Sequence, residues 1–302
     1  MIIDAEEAVN NFYQTCFDAG SQNCPLRLPS DTTPSALRDR VNTFIETLET
    51  ANPIPVVNNG RVQLLTSNLV RDTIRRTFYS PVCSYEPVAL ALAESILSGN
   101  HALLLSGNGN QCSKLPASWT PHNRGDFACP WCGEAGLAIY CGDSAAATNS
   151  TGFSIEQARA LAASLREQSP TTFEPWTSFL ALPCADWQYK PTYAFNGPFG
   201  STSTEKGGGG KGGAAPMLIL SARYDHATPL ENAFALSRMH EGSAVVVQES
   251  VGHVALSVST SECTAKIVRE YFDTGRLPVN GTSCAADCEA GIPFKACPGV
   301  FE

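Results

Sequence analysis

The chain has 302 residues, of which 43% are hydrophobic, so it is long enough to bury a sizeable core. Its net charge is −9 and no cluster holds more than two Lys or Arg residues, which excludes nucleic acid and anionic membrane surfaces as expected partners. No apolar run approaches the roughly 18 residues that a membrane-spanning helix needs.

The cysteine content points to an oxidising compartment. There are 12 cysteines in the chain, and cysteine usage of this kind is typical of secreted, disulfide-bonded proteins. Two N-glycosylation sequons, at Asn149 and Asn280, agree with secretion. Residues 1–7, however, have neither the basic nor the apolar region of a signal peptide.

Residues 1–194 are predicted to form a mainly helical region. Apolar side chains recur at a helical period in several segments. These segments are 5–19, 37–48, 62–79, 85–97 and 155–167. No β-hairpin is predicted. Residues 195–215 follow as a Gly-rich linker, a surface insertion in which we expect 201–213 to be mobile because glycine runs lose much entropy on ordering.

Residues 216–302 have the pattern of an α/β unit. The apolar runs 217–222 and 244–248 predict two parallel strands that are buried on both faces. Between them, Thr228, Pro229 and Glu231 predict a capping box at the start of a helix that ends at Gly242. A second helix is expected over 261–273.

One acid and one histidine follow the two predicted strands. Asp225 comes just after the first strand and His253 just after the second, so parallel pairing would bring both to the same sheet edge. A carboxylate and an imidazole so placed can form the orienting pair of a serine-hydrolase triad, and the order Asp then His is that of α/β-hydrolases. Taken singly, each residue could instead be only a turn former or a loop residue.

Several motifs resemble those of tripeptidyl-aminopeptidase-like α/β-hydrolases, a family of serine peptidases. The motifs lie at 12–24, 138–143, 184–187, 216–230, 251–253, 263–278 and 281–284. The resemblance implies a helical lid over residues 1–194, followed by the C-terminal part of the hydrolase sheet with Asp225 and His253 as catalytic residues. It also implies a secreted exopeptidase that acts on peptide substrates at free N-termini.

The nucleophile of that family is absent from the sequence. The family carries its serine in a G-x-S-x-G elbow, and the nearest string here, 142–146, lacks the closing glycine. We therefore expect the nucleophile, the oxyanion hole and the N-terminal half of the sheet to lie outside this chain, which would be a fragment, inactive and marginally stable by itself.

The resemblance, together with loop closure, implies the pairs Cys16–Cys24, Cys141–Cys184 and Cys263–Cys284. Cys288 is paired with Cys297 only because the two are close in the sequence. The remaining cysteines are not assigned: Cys83, Cys112, Cys129 and Cys132. The Cys129-Pro-Trp-Cys132 string could instead be half of a zinc site or a redox motif, but no second ligand pair or thioredoxin-like context accompanies it. No cofactor or metal is predicted.

Three functions remain open at this point. The first is a serine aminopeptidase of tripeptidyl or prolyl type, whose partners would be a peptide substrate and the missing N-terminal half. The second is a non-catalytic fragment or binding module. The third is an esterase- or lipase-like α/β-hydrolase, which would use the same two residues.

Overall fold

The structure is a computed structural model of the chain. It describes residues 2–51, 53–58, 60–106, 132–148, 154–180, 182–185, 187–189, 191–193, 216–288 and 290–292. The predicted linker at 195–215 lies outside these residues.

The helices and strands fall into a helical region, a small hairpin and a C-terminal α/β unit. The helical region contains α1 (Ala5–Ala19), α2 (Pro34–Thr50), α3 (Ser67–Thr77), α4 (Pro81–Leu97), α5 (Ala102–Leu105), α6 (Cys132–Thr148), α7 (Ile155–Gln168) and α8 (Phe173–Leu180). The hairpin contains β1 (Ile54–Asn58) and β2 (Arg61–Leu65). The α/β unit contains β3 (Leu218–Tyr224), α9 (Leu230–Met239), β4 (Ala244–Val251), α10 (Ala255–Val258), α11 (Glu262–Thr274) and β5 (Thr282–Ala285).

The first helices bury one continuous apolar stripe each, as their sequence periods predict. Phe12 and Tyr13 of α1, Val41 of α2 and Tyr85 of α4 belong to the same buried cluster, which is the main core. Phe12 packs edge-on against Tyr85 with 5.1 Å between ring centroids.

The hairpin corrects the expectation of a helix over 62–79 and of no hairpin. Residues 61–65 form β2, which pairs antiparallel with β1, and the helix α3 begins only at Ser67. The reason is a period of two: Ile54 and Val56 face the main core while Val57 and Val62 point to solvent. Gly60 supplies the positive φ of 74° that the turn requires.

The C-terminal sheet has three parallel strands in the order β3-β4-β5, one more than predicted. The third strand was missed because it is four residues long and has no continuous apolar run. Two contacts besides the strand pairing hold β5 in place. The Cys263–Cys284 disulfide links it to α11, and Asn280 Oδ1, just before the strand, accepts a 2.8 Å hydrogen bond from Val245 N of β4.

The outer edge of β3 carries no partner strand within the described part of the chain. In the same part, none of the helices combines the length and the apolar character that crossing a membrane would demand.

Candidate active site

The structure brings Asp225 and His253 together at the carboxyl ends of β3 and β4. Tyr224, the last residue of β3, is in register with Val251, the last of β4, so the residues that follow emerge side by side. His253 Nδ1 lies 3.1 Å from each carboxylate oxygen of Asp225. The Asp225 side chain is 2% exposed and the His253 side chain 28% exposed, so the imidazole is open to solvent on one side.

The Asp225 carboxylate is held by backbone and hydroxyl donors. It accepts hydrogen bonds from Ala227 N and Thr228 N at 2.9 Å, from Thr228 Oγ1 at 2.8 Å and from Val254 N at 3.1 Å. Burial acts to raise the pKa of this carboxyl, but the hydrogen bonds from Thr228, Val254 and Ala227 outweigh it and hold the pKa below its usual value. Asp225 is therefore ionised at neutral pH.

The predicted capping box is wrong, because the Thr228 hydroxyl bonds to Asp225 instead of capping α9. The helix begins at Leu230, and Pro229 occupies the N-cap position without a side-chain cap bond. The Asp4 carboxylate, instead of Thr228, accepts a 2.9 Å hydrogen bond from Leu230 N at the start of α9. Burial, with a further contribution from the charge of Asp225, raises the pKa of Asp4.

A strained turn places His253. Gly252 has a φ of 115°, and a Cβ there would lie 2.6 Å from Phe78 O and 2.8 Å from Val258 Cγ1, so only glycine fits. His253 N donates to the same Phe78 O at 2.9 Å. Val254, a β-branched residue, has a φ of 67°, a conformation that is costly and that directs its N–H to Asp225.

Gln248 fixes the segment that follows the histidine. This fully buried side chain of β4 donates through Nε2 to Ala255 O at 2.6 Å and to Ser259 O at 3.1 Å, at the two ends of α10. The only sign of this role in the sequence is a polar residue within a predicted buried strand.

Two aromatic neighbours of His253 were not predicted as site residues. The Tyr79 ring lies 5.3 Å from the His253 ring and 4.5 Å from the His226 ring, measured between centroids. His226 is 0% exposed, and neither of its ring nitrogens has a hydrogen-bond partner among the described residues. Burial lowers the pKa of His226 to about 3, so it is a neutral ring beside the pair.

Comparison with known proteins identifies the region that contains this pair. Residues 170–284 match the family described as TAP-like protein. The chain carries a TAP-like α/β-hydrolase segment. Tripeptidyl aminopeptidase from Streptomyces lividans is 28% identical to it over 114 residues, and that from Streptomyces coelicolor is 27% identical over 114 residues. Each alignment covers 37% of this chain and 19% of the relative, so the match spans about a fifth of the relatives' length.

The TAP-like segment contains Asp225 and His253. It also contains Cys184 and the pair Cys263 and Cys284. The structure has the bonds Cys16–Cys24, Cys141–Cys184 and Cys263–Cys284, which are the pairs that the resemblance implied. Cys83 and Cys288 are disulfide-bonded as well.

Other predicted residues lie elsewhere. Asn280, a candidate glycosylation site, is exposed at the start of β5. Asn149, Cys112, Cys129 and Cys297 lie outside the described residues, as does the side chain of Cys132. The string 142–146 lies within α6, so it is no strand-to-helix elbow.

Proposed function

We propose that Asp225 and His253 are the acid and the base of a serine-hydrolase triad. The observation that carries the proposal is the 3.1 Å approach of His253 Nδ1 to both oxygens of an ionised, buried carboxylate. Asp225 accepts the Nδ1 proton, fixes the tautomer and stabilises the imidazolium once it forms. Nε2 is then left unprotonated to take the proton of a nucleophile.

The nucleophilic serine and the oxyanion hole come from residues outside these 302. The sequence has no G-x-S-x-G elbow, and the string nearest to one lies within α6. The outer edge of β3 supports an addition at this place, because a parallel strand that pairs there would end at the same sheet edge as Asp225 and His253. We propose accordingly that the 302-residue chain does not hydrolyse peptides by itself.

The substrate is the N-terminal end of a peptide. Both relatives named above are tripeptidyl aminopeptidases, and the family match over residues 170–284 includes Asp225 and His253. Residues 1–194 act as a lid over the site: the backbone at Phe78, at the end of α3, bonds directly to His253 N. Disulfides in both regions support secretion into an oxidising compartment.

The test compares the 302-residue chain with the chain extended by the coding sequence upstream in its gene. The substrates are a tripeptide p-nitroanilide with a free N-terminus, its N-acetylated form, and a p-nitrophenyl ester. A serine-directed fluorophosphonate probe reports the nucleophile. We expect no labelling of the 302-residue chain, and labelling with hydrolysis of the free peptide in the extended protein.

Site variants decide the roles of the pair. His253→Gln should abolish hydrolysis in the extended protein, and Asp225→Asn should lower kcat by up to about 10⁴-fold because it favours the wrong tautomer. Preference for the N-acetylated peptide or the ester would favour an endopeptidase or an esterase. Hydrolysis by the 302-residue chain, or full activity of His253→Gln, would overturn the proposal. If neither protein hydrolyses any substrate, the binding module is the better account.

A further inference from the structure

A series of aromatic rings extends from His253 across the helical region. The order of contact is His253, Tyr79, His226, Trp176, Phe179 and Tyr140, with centroid separations of 5.3, 4.5, 6.0, 6.1 and 5.1 Å. Tyr79 is 38% exposed and Phe179 45% exposed, whereas His226 and Trp176 are buried. Tyr79 is therefore the exposed aromatic ring beside the imidazole, and it packs on the buried ring of His226, which in turn contacts Trp176.

Tyr79 is held in place by the same backbone that holds the histidine. It follows Phe78, whose carbonyl oxygen accepts from His253 N at 2.9 Å, and its own N–H donates to Arg76 O at 3.2 Å. Arg75 Nη1 donates a 3.4 Å hydrogen bond to the Tyr79 hydroxyl oxygen. The position of the Tyr79 ring relative to the imidazole is thus set by the fold rather than by a loose side chain.

The electrostatics of this surface favour an uncharged occupant. The Arg75 guanidinium, which is ion-paired with Asp72 at 2.7 Å, lies over the Tyr79 ring at 5.7 Å and over the Trp176 ring at 5.0 Å, so each of these rings already has a cation on one face. His226 is neutral and lacks hydrogen-bond partners among the described residues, so it adds an apolar edge rather than a charge.

We infer that Tyr79 is the specificity-determining residue of a subsite for an apolar, preferably aromatic, side chain next to the bond that His253 serves. The inference rests on the proposed function, because it assigns part of the substrate to the surface beside the catalytic base. An aromatic side chain gains ring contacts with Tyr79, whereas a lysine ammonium would lose water against a ring that already carries the Arg75 guanidinium on one face.

The test is peptide binding to the 302-residue chain by isothermal titration calorimetry, which needs no nucleophile. The ligands are tetra-alanine with a free N-terminus and the four peptides in which one of its alanines is replaced by phenylalanine. We expect one position at which phenylalanine tightens binding by roughly 2- to 10-fold, the range typical of an aromatic pair. Lysine at that position should bind more weakly than alanine.

Variants of Tyr79 assign the preference to its ring. Tyr79→Phe should keep the preference, Tyr79→Leu should reduce it, and Tyr79→Ala should remove it. Tyr193→Ala, the same change at a tyrosine that is 79% exposed, is the matched control and should leave it unchanged. Urea unfolding verifies that each variant is folded.

Three results would overturn the inference: an unchanged preference in Tyr79→Ala, equal binding of lysine and phenylalanine peptides, or no peptide binding to the native chain. The outcome is separable from that of the proposed function. A preference lost in Tyr79→Ala supports the subsite even if no serine is ever labelled. Hydrolysis that depends on His253 but shows no such preference supports the triad and removes the subsite.

Discussion

Replacing Gly252 with alanine puts a methyl group where the structure has no room for one. The new Cβ would lie 2.6 Å from the carbonyl oxygen of Phe78, 2.8 Å from Val258 Cγ1 and 3.0 Å from Pro81 Cδ. Two of these atoms belong to the backbone or to a proline ring and cannot rotate away. The φ of 115° adds strain, because L side chains rarely adopt that conformation.

The expected cost of Gly252→Ala is about 2–5 kcal/mol, the sum of overpacking and backbone strain. Gly275→Ala is the matched control: this glycine has a φ of 72° with nothing within 4 Å of its Cβ position, so only the strain of about 1–2 kcal/mol applies. Urea unfolding at pH 7 measures both, with the slope m expected to stay constant. If Gly252→Ala costs no more than Gly275→Ala, the packing account of the histidine turn is wrong.

Two further changes test the surroundings of the pair. The pKa of His226 falls from 6.5 to about 3 in the folded protein, so its neutral form stabilises the fold above pH 6.5 and this stability is lost as the pH falls towards 3. Between pH 7 and pH 5 the free energy of unfolding should therefore fall by about 2 kcal/mol less in His226→Phe than in the native chain, as measured by urea unfolding. Equal losses would contradict the assignment of a buried neutral ring. Converting Cys263 and Cys284 together to serine opens a link between residues 21 apart and should cost about 3 kcal/mol; an unchanged unfolding midpoint would show that β5 does not depend on the bond.

The pairing of Asp225 with His253 could be predicted from the sequence because it depends on strand ends. Continuous apolar runs mark buried parallel strands, and such strands place the residues that follow them at one edge. Asp225 and His253 could therefore be paired without knowledge of the remaining fold. Spacing along the sequence cannot identify site residues that come from other helices or strands.

Tyr79 and His226 show where that argument ends. Tyr79 comes from the junction of α3 and α4, more than 170 positions before His253 in the sequence. His226 lies next to Asp225 in sequence, yet its burial depends on rings from distant helices, which no local pattern records. The strained φ of Val254 is equally invisible, since valine there contradicts its intrinsic preference.

The errors in secondary structure had local causes. A valine- and leucine-containing segment of five residues fits both a helix face and a strand, so β2 was taken for the first turns of a helix. The threonine and proline at 228–229 fit a helix start, but the Thr228 hydroxyl donates to the Asp225 carboxylate three residues earlier, and α9 begins only after Pro229.

The tautomer of His253 tests the central claim most directly. In ¹⁵N-labelled protein, NMR distinguishes a proton on Nδ1 from one on Nε2. If Asp225 orients the imidazole, the neutral ring of the native chain carries its proton on Nδ1, and Asp225→Asn shifts the proton to Nε2. A native ring protonated on Nε2, or a tautomer that does not respond to Asp225→Asn, would contradict the assignment of the two residues as an acid–base pair.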